Sequence, residues 1–174
     1  MMKHHVAIGA CVVGALLSAG CGSDSVSPPP IRQVTELGGM RLEIDVAHAI
    51  IPVGDSGTVT MRLRNLTAEA KRIIFGSSCQ IMPYIKDGTG AIRYPGGGAW
   101  GCAAIITSID LPANGEVTRT LLIRGVAAGA GPAGAALPPG AYSVRAVLEQ
   151  TSTILAGNSP QFQLRSPTIS FEVR

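Results

Sequence analysis

The sequence has few charged and few aromatic residues. Charged side chains make up 14% of the 174 residues, and Phe, Trp and Tyr together make up 4%. No segment clusters lysine and arginine with aromatic residues, and the formal net charge is only +3, so we expect no nucleic-acid binding. Glycine (22 residues) and proline (12 residues) are abundant instead. Such a chain has many turns, and its strands pack mainly on valine, isoleucine, leucine and alanine.

Histidine is scarce as well, with three residues in the chain. Two of them precede residue 6, so His48 is the one histidine in the body of the protein. His48 has no nucleophile motif beside it, and one histidine does not build a tetrahedral metal site. The acidic residues are scattered, and neither Asp55–Thr58 nor Asp87–Gly90 has the spaced oxygen ligands of a calcium loop. We therefore expect no enzymatic activity, no metal and no cofactor.

The N-terminal segment has the pattern of a bacterial secretory signal. Lys3 precedes an apolar stretch from Val6 to Leu17, which is too short to span a bilayer as a helix. The run Leu16-Leu17-Ser18-Ala19-Gly20-Cys21 then resembles a lipobox, in which residues 1–20 are removed and the thiol of Cys21 is diacylated. The new amino end is acylated in turn, typically with palmitate. An ordinary signal peptide with a chance cysteine is the alternative.

Residues 21–39 are interpreted as the lipidated cysteine and its tether. The run from Gly22 to Pro30 is polar, ends in three prolines and has no apolar periodicity. Gly22 also stands where many enteric lipoproteins carry the aspartate of inner-membrane retention, which favours the outer membrane. We expect a lipid-anchored protein of the bacterial cell envelope, facing the periplasm or the exterior, with its globular body in residues 40–174.

Cys79 and Cys102 are the cysteines that remain once Cys11 leaves with the signal and Cys21 is lipidated. In an oxidising compartment such a pair most simply forms a disulfide. Closing a loop of about two dozen residues stabilises a fold by roughly 3 kcal/mol. A redox or metal pair is the alternative, but the sequence has no C-x-x-C motif. We predict a structural disulfide.

The body of the chain has the pattern of short strands separated by turns. Leu42, Ile44 and Val46 alternate with charged residues, and residues 58–64 repeat this period of two. Further strand candidates are 72–75, 81–85, 91–94, 104–111, 117–124, 142–148 and 169–173. The runs 58–64 and 72–75 are predicted to pair, and Pro83 predicts an edge or a bulge. We expect an immunoglobulin-like antiparallel β-sandwich of seven to nine strands.

Two features between these strands are candidate binding surfaces. Gly96, Gly97, Gly98 and Trp100 lie in a flexible stretch that ends at Cys102 and lacks the Gly-Lys-Ser/Thr of a nucleotide loop. We interpret it as a crossing loop anchored by the disulfide and as a candidate interaction loop. The second is a set of basic residues that could share one face of a hairpin and meet anionic lipid, or form an ordinary solvent face: Arg62, Arg64, Lys71 and Arg72.

Several segments between Gly57 and Leu148 resemble the BsuPI-type intracellular proteinase inhibitor domain. They comprise a strand with an Asn-x-Ser/Thr turn, an Asp-x-x-Gly turn, a Leu-x-Pro-Gly-Glu step and a Pro-Gly-x-Tyr-x-Val-x-Ala strand, at residues 59–78, 84–90, 111–116 and 139–146. Residues 121–124 lack the tryptophan that the family carries at that point, and Trp100 lies earlier in the chain. The resemblance implies an immunoglobulin-like fold and transfers no inhibitory residue.

These observations favour a non-enzymatic envelope lipoprotein whose immunoglobulin-like module binds another, unidentified protein. One alternative is a proteinase inhibitor whose loop from Gly96 to Cys102, braced by the disulfide, enters an active site. Another is a lipid or glycan carrier, which requires a large apolar cavity between the sheets. The first hypothesis follows from the lipobox, the tether, the strand pattern and the missing catalytic set.

Overall fold

The computed structural model describes residues 29–129, 135–149 and 163–174. Cys21 and the predicted signal segment lie outside these ranges. The described residues form no α-helix, and none of them builds a helix long and apolar enough to cross a membrane. Their thirteen strands confirm the predicted all-β class: β1 (Ile31–Leu37), β2 (Met40–Val46), β3 (Ile50–Ile51), β4 (Ser56–Asn65), β5 (Lys71–Phe75), β6 (Ile81–Asp87), β7 (Ile92–Tyr94), β8 (Thr107–Leu111), β9 (Glu116–Gly125), β10 (Ala135–Leu137), β11 (Gly140–Glu149), β12 (Gln163–Arg165) and β13 (Ile169–Val173).

The strands form a sandwich-like arrangement of two main sheets and one small sheet. Sheet 1 has the order β1-β2-β4-β9-β10, and sheet 2 has the order β3-β13-β11-β6-β7, with β12 also paired to β11. Sheet 3 consists of β5 and β8 alone. The pairs β9–β10 and β3–β13 are parallel, so both main sheets are mixed. The prediction of seven to nine antiparallel strands was wrong in these respects. The missed strands β3, β10 and β12 have only two or three residues, which is too short to show a period in sequence, and β1 was missed as well.

The core follows from the period of two along each long strand. Alternate side chains of a strand point to opposite faces of its sheet, so one set from each sheet lies inside the sandwich. The inward set includes Leu42, Ile44, Val59, Met61, Leu63, Ile85, Val144, Ala146, Leu148 and Phe171, all of which are buried. The predicted alternation in β2 and β4 is therefore confirmed.

The sandwich begins nine residues earlier than the boundary predicted at residue 40. β1 pairs with β2 along its whole length, from Ile31 opposite Val46 to Leu37 opposite Met40. Gly38 and Gly39, with φ of 58° and 73°, make the two-residue turn between the strands. Residues 31–39, predicted as part of a tether, therefore belong to the sandwich.

The predicted hairpin of residues 58–64 and 72–75 does not form. β4 lies between β2 and β9, while β5 leaves sheet 1 and pairs with β8. The buried side chain of Asn65 fixes this departure: its amide donates to the carbonyls of Glu69 (2.7 Å) and Pro112 (2.9 Å). Its Oδ1 accepts hydrogen bonds from the backbone N–H and the hydroxyl of Thr67, at 3.0 and 2.7 Å.

Pro83 confirms the prediction of an edge or a bulge. It lies opposite Ala146 of β11, whereas β7 on the other side pairs with β6 only at Ile85 and Lys86, where the register shifts. The missing N–H of Pro83 therefore costs no ladder hydrogen bond on that side.

Candidate interaction site

The predicted disulfide joins Cys79, between β5 and β6, to Cys102, which precedes β8. Their Cα atoms are 5.5 Å apart and the residues are separated by 23 positions. Hydrogen bonds reinforce the link beside it: the Ser78 N–H donates to the Ala103 carbonyl at 3.0 Å, and the Ala103 N–H donates to Ser78 Oγ at 2.9 Å. The hydroxyl of Thr107 donates to the Ser77 carbonyl at 2.7 Å. The chain is thus held at Cys102 and again at the start of β8.

Trp100 anchors the loop before the disulfide to sheet 2. Its ring meets those of Tyr94 and Tyr84 edge-on, with centroids 5.1 and 6.4 Å apart and both interplanar angles at 88°. Burial raises the pKa of the Tyr94 phenol. The indole N–H is buried and has no acceptor among the described residues. Trp100, proposed from sequence as part of an interaction loop, is therefore half-buried.

Gly96, Gly97 and Gly98 form one 3-10 turn that follows the buried Pro95. Gly97 and Gly98 have φ of 77° and 79°, a conformation that side chains with a Cβ adopt only at a cost. A Cβ added at any of the three would meet no atom within 4 Å. Glycine is thus favoured at positions 97 and 98 by the backbone conformation of the turn and not by lack of space.

Residues 101–106, which include Cys102 of the disulfide, form a largely apolar segment in which every residue is exposed. Ile105 and Ile106 are 55% and 62% exposed, more than any other large hydrophobic side chain of the described residues. Residues 104–106 were predicted to lie inside a strand, but β8 begins only at Thr107. The four consecutive apolar residues from Ala103 to Ile106 have no period of two, which does not favour a half-buried strand.

The basic residues singled out from sequence do not share one face. Arg62 bonds to the carboxylates of Glu43 (2.6 Å) and of the buried Asp45. Asp45 also binds Arg32 at 2.7 Å. Lys71 donates to the Gly38 carbonyl at 2.6 Å. Lys71 and Arg72 belong to β5 of sheet 3, away from Arg62 and Arg64 in β4, and Arg62 is part of an ion-paired network on the outer face of sheet 1.

Of the two runs weighed as calcium loops, Asp87–Gly90 forms a turn, whereas residues 56–58 already belong to β4, so the prediction of a turn at Asp55–Thr58 was wrong. Asp87 Oδ1 accepts hydrogen bonds from the hydroxyl (2.6 Å) and N–H (2.9 Å) of Thr89 and from the Ala91 N–H (3.0 Å), while Oδ2 accepts from Arg93 Nε (2.7 Å). The Thr89 hydroxyl is the largest cause that lowers the pKa of Asp87 to about 2. Within the described ranges, no three His, Cys, Asp or Glu residues group as metal ligands, and His48 lies exposed between β2 and β3.

No protein-family model and no curated protein matches the sequence. Among solved structures, the chain is similar to the C-terminal domain of Wzt, with 11% identity, a TM-score of 0.46 and coverage of 84% of this chain and 79% of that one. It is also similar to part of the alkylpurine DNA glycosylase AlkC of Pseudomonas fluorescens bound to DNA containing an abasic site analogue (14% identity, TM-score 0.39, 82% of this chain and 30% of that one). A further likeness is to part of a β-glucosidase from Listeria innocua in complex with gluconolactone (16% identity, TM-score 0.37, 83% and 16%). The chain thus spans less than a third of the length of the last two proteins.

Proposed function

We propose that this chain is a non-enzymatic, lipid-anchored protein of the bacterial cell envelope that binds another protein through its apolar segment, residues 101–106. The exposure of Ile105 and Ile106 carries the proposal. Covering side chains of this kind with a partner's surface contributes about 1 kcal/mol or more for each. Because the disulfide and the Ser78–Ala103 hydrogen bonds already order the segment, less conformational entropy is lost on binding.

The immunoglobulin-like assignment is part of this proposal. The Tyr142 hydroxyl, at the start of β11, donates to the Pro138 carbonyl at 2.7 Å. A tyrosine that bonds back to the backbone a few residues upstream is typical of immunoglobulin-like sandwiches. The Tyr142 ring also stacks on Phe171 of the neighbouring β13, with centroids 5.6 Å apart. These contacts support an immunoglobulin-like corner at the entry to β11.

The lipid anchor at Cys21 places the binding of the partner close to the membrane surface. With ten residues from Cys21 to Pro30, the start of β1 stays within about 35 Å of the membrane surface, which is the outer membrane in this proposal. Membrane fractionation of cells that carry Cys21→Ala tests the anchor, with globomycin treatment as a second arm. We expect accumulation of the unprocessed chain in both arms. Unchanged processing and unchanged membrane retention would contradict the anchor.

Photo-crosslinking tests the apolar segment in the bacterium of origin. A photoreactive amino acid replaces Ile105 or Ile106 in the full-length chain, and Leu122, 47% exposed on the outer face of sheet 1, is the matched control. We expect one crosslinked protein at positions 105 and 106 that is absent at position 122. The purified partner should then bind the parent chain, and lose affinity for Ile105→Ser/Ile106→Ser but not for Leu122→Ser. Equal crosslinking at all three positions would refute the proposal.

A proteinase inhibitor of the BsuPI type is the second candidate function. An inhibitory loop has to be exposed and held at its ends, and residues 101–106 meet both conditions, whereas the Gly96–Trp100 turn packs on Tyr94. Incubation of the full-length chain with serine proteases and metalloproteases at micromolar concentration tests this candidate. Inhibition that Ile105→Ser removes would support it. Failure to inhibit any enzyme of the panel would exclude it.

A further inference from the structure

The outer face of sheet 2 carries an open pocket with an empty volume of about 270 Å³. Pairing of β6 with β11 builds its floor, since Lys86 lies opposite Ser143 and Tyr84 lies opposite Arg145. Such cross-strand neighbours on one face approach within about 5.5 Å at their Cβ atoms. The lining residues are Tyr84, Lys86, Ser143, Val144, Arg145 and Thr168.

The pocket holds two cationic side chains and no carboxylate among its lining residues. Neither Lys86 nor Arg145 takes part in any ion pair of the described residues, whereas Arg32, Arg62 and Arg93 all do. Arg145 Nε is buried and has no acceptor. The terminal N–H groups of Arg145, which take part in no ion pair of the described residues, are therefore the donors of this guanidinium that a ligand oxygen could meet.

Glu172 is the acidic side chain to consider on the same face. It lies opposite Ala141, one cross-strand row beyond the Ser143–Ser170 pair. It is exposed and forms no ion pair with Lys86 or Arg145. The pocket therefore keeps an excess of positive charge. The negative charge of Glu172 weakens anion binding there through its electrostatic repulsion.

We propose that this pocket binds a phosphomonoester, either on a soluble metabolite or as the headgroup of a lipid. A phosphomonoester carries a charge between −1.5 and −2 at neutral pH, which matches one lysine and one arginine. The planar guanidinium of Arg145 suits two phosphate oxygens, and the hydroxyls of Ser143 and Thr168 add neutral donors. Because the pocket opens to solvent, a phosphate can lie against its floor while the attached group extends outward. This proposal does not depend on the apolar segment.

Calorimetric titration of the full-length chain in non-ionic detergent tests the site. The probes are inorganic phosphate, glycerol 3-phosphate and water-soluble dihexanoyl phosphatidic acid, which share the phosphate chemistry. We expect saturable one-to-one binding. Affinity for the short-chain lipid at least about ten-fold above that for glycerol 3-phosphate assigns the site to a lipid headgroup. Equal affinities assign it to a soluble phosphate.

Variants locate the binding in the pocket. Lys86→Gln and Arg145→Gln should each weaken binding by roughly 10- to 100-fold, and Arg145→Lys should retain part of the affinity because the charge stays. Glu172→Gln should tighten binding slightly, and Arg124→Gln, an exposed arginine on sheet 1, should leave it unchanged. Circular dichroism of each variant verifies the fold. Absence of saturable binding by the parent chain, or equal losses in Lys86→Gln and Arg124→Gln, would overturn the proposal.

Discussion

Replacing Cys79 and Cys102 together by serine removes the one covalent link within the described residues. The link closes a loop with a sequence separation of 23, for which the chain-entropy relation gives a loss of about 3.4 kcal/mol of unfolding free energy at 25 °C. The Ser78–Ala103 hydrogen bonds remain in the variant, so the effect arises mainly in the unfolded chain. Since a domain is stable by only about 5–15 kcal/mol, a loss of this size is easily measured.

Urea unfolding of the parent chain and of the double serine variant measures the loss with two probes. Fluorescence of Trp100, the single tryptophan, reports on the loop beside the disulfide, and far-UV circular dichroism reports on the sheets. With a urea dependence of roughly 1–3 kcal/mol/M, we expect the midpoint to fall by about 1–3 M in both signals. Parent protein reduced with dithiothreitol should unfold like the variant.

Two results would refute this reasoning. An unchanged midpoint in both signals would mean that the link does not restrict the unfolded chain. A shift in the Trp100 signal alone would mean that the loop opens locally while the sandwich remains folded. In that case the disulfide would order the apolar segment without stabilising the fold.

Three further predictions concern positions outside the loop. Asn65→Ala leaves the Thr67 N–H and the Glu69 and Pro112 carbonyls without their partner, so urea unfolding should show a loss of about 2–4 kcal/mol. Asp87 has a folded-state pKa of about 2, below its ordinary value of 3.8, so its contribution is complete above about pH 4 and is lost as the pH falls toward 2. As the pH falls from 4 to 2, the free energy of unfolding of Asp87→Asn should therefore decrease less than that of the parent. Urea unfolding at a series of pH values measures this difference. Gly125→Ala would place a Cβ 2.5 Å from the Pro52 carbonyl oxygen, so we expect thermal unfolding to show a loss of about 1–3 kcal/mol.

The period of two in the sequence predicts most long strands, and β13 was predicted at its observed bounds. β1 was missed because Gln33 and Thr35 face inward with Ile31 and so interrupt the apolar alternation. The partners of β4 were also predicted wrongly. Proximity in sequence favours a hairpin, but the hydrogen bonds of Asn65 to residues near position 111 send the chain to sheet 3.

The candidate site was predicted only where local sequence rules apply. Counting the cysteines that remain outside the predicted signal and lipidation site was enough to pair Cys79 with Cys102. The exposure of Ile105 and Ile106 could not be read from sequence, because a short apolar run is equally typical of a buried strand. The meeting of Lys86 with Arg145 depends on the register of β6 against β11, which only the folded chain defines.

The affinity of the photo-crosslinked partner for the purified chain tests the central claim most directly. Compared with the parent, Ile105→Ser/Ile106→Ser should bind on the order of 30-fold more weakly, since about 1 kcal/mol of apolar burial is lost at each position. Leu122→Ser, with a similarly exposed apolar residue on sheet 1, should bind like the parent. Unchanged affinity of the double variant, or an equal loss in Leu122→Ser, would contradict binding through residues 101–106.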